Sequence, residues 1–341
     1  MTGAQATSWR YLATFAAVVL VLAGSCLGAN LVIDPLWFFR GNRVTGVTYA
    51  FNERVAKLNQ LLPRLKDYDC VMFGSSTTTL VPPPHLEGRR CFNLAFSGGV
   101  VSEFLVYAKY LRARGFAPKV LIVGVDGFDF EGPTLKLNVP DFVKAGDDPP
   151  PAWKTYLSVD AFVFSFRTVF GLFPNRRQYD RDFRCHIIAR KTPYEAPAKL
   201  AAQAPPPALH PERADLYVEL RRLFPEARAL AFVAPNAGWS IAQHQLDGNL
   251  DAYLEGLGRT AAAFDGFLDL SIPSEITIST TNTYDGVHFA DAVNDHTSAA
   301  LASGDPSPGI DWKREPAAAI KAAYEERIDR FVIKKLLAAR P

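Results

Sequence analysis

The first long feature of the hydropathy pattern is a block without charge. From Tyr11 to Ile33 the chain reads YLATFAAVVLVLAGSCLGANLVI. That length suffices to cross a hydrocarbon core as a helix. Beyond an exposed-looking connector over 34–52, the pattern changes to short apolar runs separated by helix-spaced stretches. Strands are predicted at Asp69–Phe73, Cys91–Ala95, Lys119–Val125, Ala229–Ala234 and Phe267–Leu270. Such continuous apolar runs suit parallel strands covered on both faces. Helices are predicted at Glu53–Lys66, Ser102–Arg112, Leu216–Phe224, Leu246–Phe264, Asp291–Ala302 and Pro316–Ala339. Strands alternating with helices predict an α/β domain with a doubly wound parallel sheet, a three-layer sandwich.

The alternation breaks between about 131 and 212. This stretch carries three prolines in a row twice, at Pro149–Pro151 and Pro205–Pro207, and the aromatic run SVDAFVFSFRTVFGLF. It reads as a Pro-rich insertion. Its phenylalanines suit a core helix, or else a lid or a surface lying on a membrane. The organisation is therefore a tail (1–10), an anchor (11–33), a connector (34–52), an α/β domain (53–312) with its insertion, and a C-terminal helix (313–341).

Composition narrows the function. The 341 residues carry a formal charge of only +2, so nothing forms the basic face that nucleic acid needs. Cys26, Cys70, Cys91 and Cys185 show no CxxC pair or metal-like spacing. Cys70 and Cys91 sit in strand-like runs, where buried thiols are the simpler reading and a disulfide needs a geometry that sequence does not supply. No two histidines fall at ligand spacing on one element, and no phosphate loop is present, so neither metal nor cofactor is expected. Ala23-Gly24-Ser25-Cys26 lacks the leucine of a lipoprotein cleavage motif. An uncleaved anchor is the better reading of the apolar block. Arg10 before it and Arg40 and Arg43 after it leave its orientation open.

Strand ends deliver ligand sites in sheets of this type. Here they read Gly74-Ser75-Ser76, Ser97-Gly98-Gly99 and Gly124-Val125-Asp126-Gly127. Late in the chain, YDGVHF places Asp285 three residues before His288. A serine hydroxyl is a weak nucleophile until a base takes its proton. Histidine is the natural base near neutral pH, and a carboxylate on its other nitrogen fixes the tautomer. Ser76, His288 and Asp285 supply these three roles. The backbone N–H groups of Ser76 and Gly98 are candidate oxyanion donors. Asn93, Asn236 and Trp239 are candidate substrate contacts at the sheet mouth. Each has a plainer reading: Ser76 as a helix cap, Gly98 as a turn, Trp239 as a packed side chain. Ser75 reads as a cap or supporting donor. His186, beside Arg184 and Arg190, is a weaker candidate for meeting an anion.

In combination these blocks resemble the SGNH hydrolase superfamily over about 69–302. GSSTT stands where that family has its nucleophile block, NLAFSGG resembles the block whose glycine donates to the oxyanion, and DGVH matches its Asp-x-x-His. Two departures stand out. Ser75 replaces the usual Asp before the nucleophile. GVDGFD replaces Gly-x-Asn-Asp, which puts Asp126 or Asp129 where an Asn completes the oxyanion hole. The pattern is closer to a membrane-anchored subgroup that includes proteins of alginate-type O-acetylation and teichoic-acid D-alanylation. The resemblance implies an acyltransferase or esterase acting on an exported cell-surface polysaccharide. It implies a domain outside the membrane, with a membrane-bound O-acyltransferase as a candidate partner. The alternatives are a non-catalytic scaffold that binds glycan or such a partner, which GVDGFD favours, and a soluble cytoplasmic esterase, which the apolar block opposes.

Overall fold

The computed structural model describes residues 3–132, 137–172, 177–180, 183–187 and 194–335, without the side chains of 3–7. Arg190 and the last residues of the expected C-terminal helix lie outside that set.

Helix α1 (Gly3–Ile33) contains the apolar block; within it Ser8–Ile33 is long and apolar enough to cross a membrane. The chain continues through β1 (Thr48–Tyr49), α2 (Glu53–Leu61), β2 (Cys70–Phe73), α3 (Ser76–Leu80), β3 (Cys91–Asn93), α4 (Val101–Ala113) and β4 (Val120–Gly124). The insertion contributes α5 (Asp141–Ala145), α6 (Ala152–Tyr156), α7 (Val159–Val169), β5 (Arg177–Tyr179) and β6 (Cys185–Ile187). Then follow α8 (Ala214–Arg222), β7 (Arg228–Val233), α9 (Gly238–Leu246), α10 (Leu250–Ala263), β8 (Gly266–Asp269), α11 (Asp291–Ser303), β9 (Ile310–Asp311) and α12 (Ala317–Arg327).

The central sheet has the order β3-β2-β4-β7-β8-β9; all pairs are parallel except β8–β9. Its central strands β2 and β4 carry no polar residue, because both faces are covered. In β2, Val71 and Phe73 enter one core cluster, with Phe104 and Leu111 of α4. Cys70 and Met72 enter another, with Ala300 and Leu301 of α11. The order reverses at β2, whose neighbours are β3 on one side and β4 on the other. A crevice forms at such a point, outside the carboxyl ends of the strands.

Several expectations need correction. The connector over 34–52 is exposed only in part: Asp34, Leu36, Trp37, Asn42, Thr48 and Ala50 are buried. The Asp34 carboxylate accepts from the N–H groups of Phe38, Phe39, Arg40 and Gly41, and so winds the chain into a tight knot at the end of α1. β1 then joins β5 and β6 in a small antiparallel sheet, which no apolar alternation announced. The expected helix at Glu53–Lys66 becomes a 3₁₀ turn from Leu62, where Pro63 lacks an N–H to continue the ladder. The helix expected at Leu246–Phe264 is α10 and starts later, at Leu250; the unexpected α9 ends at Leu246, and Gly248 separates the two with a left-handed φ of +71°. The C-terminal helix begins as expected, and passes into a π-helical turn at Ile328–Ile333. Cys70 and Cys91, paired in register on β2 and β3 with Cα atoms 4.2 Å apart, form a disulfide rather than two thiols.

Candidate active site

β2 ends at Phe73, and through Gly74 and Ser75 the chain turns at once into α3. This turn requires very close packing. A Cβ at Gly74 or Gly124 would collide with the Thr78 side chain, which sits between the ends of β2 and β4. The three threonines of GSSTTT are each committed. Thr77 Oγ1 donates to Asp126 Oδ1 at 3.2 Å, Thr78 fills the gap between the two glycines, and Thr79 Oγ1 donates to the Ser76 carbonyl at 2.7 Å. Ser75 Oγ caps the helix by accepting from Thr77 N. The cap is thus Ser75, and Ser76 in the first turn has its hydroxyl free for another partner.

That partner is His288. Its Nε2 lies 2.9 Å from Ser76 Oγ, and its Nδ1 lies 2.8 Å from Asp285 Oδ2. Asp285 Oδ1 also accepts from the N–H groups of His288 and Val287, so one turn holds both the imidazole and the carboxylate beside it. Burial raises the Asp285 pKa. The hydrogen bonds from the His288 ring and backbone and from Val287, with the imidazole charge, outweigh it, and the net pKa lies well below the usual carboxylate range. Gly286 is needed here: its φ is +89°, and a Cβ would stand 2.7 Å from Tyr194 Oη of the insertion. Ala237 N, just after β7, donates to the Gly286 carbonyl at 2.8 Å and ties the loop to the sheet.

The second block is held by residues outside all the motifs. Glu53 Oε2 accepts from Ser97 N at 2.6 Å while its other oxygen takes the Tyr179 hydroxyl. Arg54 bonds the Ser97 carbonyl at 3.2 Å and pairs with buried Glu103 at 2.7 Å. Gly98 adopts φ +61° between these clamps. Among the described residues, neither the Ser76 N–H nor the Gly98 N–H donates to a protein acceptor. Glu53 and Arg54 open the helix predicted at Glu53–Lys66, and no motif in the sequence singles them out. Arg177 of β5 was also missed: it is buried and donates to the Ser76 carbonyl at 3.1 Å and to Thr79 Oγ1. Nothing in the insertion's sequence signals it.

The third block separates its two acids. Asp129 faces away, accepting from Val101 N and from the Tyr217 hydroxyl. Asp126 is the one beside α3. Burial raises its pKa to about 6, partly offset by the Ser75 and Thr77 hydroxyls, and its Oδ2 has no hydrogen-bond partner among the described residues.

A cavity of about 350 Å³ adjoins the triad. Thr77 and Val287, the chain neighbours of Ser76 and His288, line it together with Asp126, Asn236 and Phe128. Asn236 lines this cavity, half-buried, with its Oδ1 accepting from Ala237 N. Asn93 and Trp239 do not meet the cleft. The Asn93 amide donates to the Thr78 and Val81 carbonyls and its Oδ1 accepts from Ala95 N, so it braces α3 against β3. Trp239 is buried, donating from Nε1 to the Tyr194 hydroxyl at 2.8 Å. Sugar stacking is not open to it, and it supports the residue that shapes the Gly286 turn instead. His186 lies between Asp180 and Asp291 rather than at a substrate. No cluster of acidic, Cys or His side chains among the described residues could hold a metal ion.

No protein-family model matches the chain, and no curated protein matches it.

Proposed function

We propose that the chain is a membrane-anchored serine acyltransferase or esterase of the SGNH type, built on a doubly wound sheet and acting on acyl groups of an exported polysaccharide. The observation that carries the reading is the Ser76–His288–Asp285 arrangement. Residues 212 apart in sequence meet at hydrogen-bond distance in the roles of nucleophile, base and orienting acid. Ser76 Oγ attacks the acyl carbonyl as its proton passes to His288 Nε2. The tetrahedral oxyanion accepts from the free N–H groups of Ser76 and Gly98. Collapse returns the proton to the leaving alcohol and leaves an ester on Ser76, which a sugar hydroxyl or water then attacks by the reverse sequence. The strand order, with β9 set aside, follows the flavodoxin-like 2-1-3-4-5 pattern and supports the fold assignment.

The anchor and the Cys70–Cys91 disulfide support an extracytoplasmic domain, since disulfides persist in oxidising compartments. There a cell-surface polymer, and a membrane-bound O-acyltransferase passing it an acyl group, are the fitting substrate and partner. The test is covalent labelling of the detergent-solubilised full chain by a fluorophosphonate, with the modified residue read by mass spectrometry. Labelling at Ser76 that is lost in Ser76→Ala and His288→Ala is expected. A well-folded protein that takes no label would refute an autonomous serine enzyme and leave the scaffold reading.

A further inference from the structure

Helix α7 is built the wrong way round for a helix of a water-soluble surface. Its buried residues are small or polar: Ala161, Ser165 and Thr168. Its opposite face, at helical spacing, is Val159, Phe162 and Phe166, continued by Phe170 just past its last residue, all exposed. Trp153 and Leu157, on the preceding α6 and at the corner, extend the same exposed apolar surface. An aqueous surface rarely carries so many large apolar side chains together.

The partner of the small face identifies the neighbourhood. α7 packs against α1, the helix apolar enough to span a membrane. Cys26 Sγ lies 4.0 Å from the Ser158 carbonyl oxygen. The Asn30 amide donates to the Tyr156 carbonyl at 2.8 Å and accepts from Ser165 Oγ at 2.6 Å. The corner between α6 and α7 therefore stands beside residues 26–30 of α1. At ~1.5 Å per residue, Cys26 is about 10 Å inside the end of α1 at Ile33. The 26 residues from Ser8 to Ile33 exceed what a hydrocarbon core of about 30 Å requires, so both ends project into the headgroup layers. Cys26 to Asn30 then lies at the boundary of core and headgroups, where aromatic side chains are at home.

We infer that the α6–α7 hairpin is a second membrane contact, an interfacial element that lies in the bilayer surface beside α1 with Val159, Phe162, Phe166 and Phe170 turned to lipid. The inference rests on α1 spanning the bilayer and not on the chemistry of Ser76. The occupant is lipid rather than a protein because the apolar face continues from the flank of the spanning helix at the depth where lipid meets water.

The test places a bimane label on Phe162→Cys and on Phe166→Cys in the full chain, reconstituted in vesicles of phosphatidylcholine and phosphatidylglycerol. Unsubstituted protein measures background at Cys26 and Cys185, and near-ultraviolet circular dichroism confirms that each variant is folded. Leu20→Cys, within α1, and Glu255→Cys, exposed on α10, are the reference sites. Doxyl-lipid quenching at 162 and 166 within about twofold of that at 20, and iodide quenching at least about fivefold weaker than at 255, is the expected result. Labels at 162 and 166 that behave like 255 would overturn the inference and leave the patch to a protein partner, which these vesicles lack. If the label at 20 also behaves like 255, the anchor fails and the inference falls with it.

Discussion

Two histidines in this molecule are each gripped through both ring nitrogens, and their partners differ by one hydroxyl. His288 lies between a carboxylate, Asp285, and a hydroxyl, Ser76. His186, on β6, lies between two carboxylates, Asp291 at 2.8 Å and Asp180 at 3.1 Å. Both are half-buried. A carboxylate only accepts hydrogen bonds, so His186 satisfies both neighbours only with a proton on each nitrogen. It is a cationic pin holding the small sheet to the first turn of α11. A hydroxyl both donates and accepts, so His288 can keep Nε2 bare, facing a proton it is able to take. Under the proposed function, replacing one acceptor by one hydroxyl turns a fastening into a base.

The sharpest way to break this comparison is to remove each ring. His288→Gln should lower the rate of fluorophosphonate labelling by about 10⁵-fold. His186→Gln should change it by no more than about threefold. Similar losses in both would abolish the distinction. Next come the carboxylates: Asp285→Asn should cost about 10⁴-fold through the wrong tautomer, while Asp291→Asn should leave the rate nearly unchanged.

Asp126 supplies a subtler test, because it adds a second carboxylate to the neighbourhood of His288 without bonding the ring. Its pKa of about 6 is above the ordinary 3.8. Its contribution to stability is thus complete below the ordinary value and lost as pH rises through about 6. Ionised, it also opposes an oxyanion. Asp126→Asn should melt higher than the parent at pH 8 and equally at pH 4, and label several-fold faster only above pH 6. A gain that is the same at every pH would detach Asp126 from the charge of the site.

The smallest expected effect belongs to the pin. Burial lowers the His186 pKa, but Asp180 and Asp291 outweigh it and raise it above the ordinary 6.5. The stability it adds is complete below 6.5 and is lost as pH rises through the raised value. With a half-exposed pair the difference between parent and His186→Gln should be about 1 kcal/mol or less, seen in urea titrations at pH 6 and vanishing by pH 9. A difference that persists unchanged at pH 9 would mean that His186 packs rather than pairs.

The two regions also differ in how readable they were. The five parallel strands, Ser76, His288 and Asp285 were legible because burial on both faces leaves apolar runs, and a triad leaves a fixed order of polar blocks. The braces were not. Arg177, Glu53 and Arg54 are polar residues whose burial depends on distant partners. Asn93 and Trp239 have the composition of cleft residues and are spent on backbone and tyrosine instead. The disulfide needed the β2–β3 register, which apolar runs do not fix.

Under the proposed function, the knot wound by Asp34 bears on how the molecule would search for its substrate. A flexible stalk would let the domain sweep a hemisphere above the bilayer and meet polymer at any height within its reach. Here the chain leaves α1 already folded, with no slack between anchor and domain. For a chain held in a membrane by α1, the cleft keeps one altitude and one tilt. Encounters with the proposed polymer would become a two-dimensional traffic problem, in which lateral diffusion brings cleft and substrate together and any strand passing higher goes by untouched.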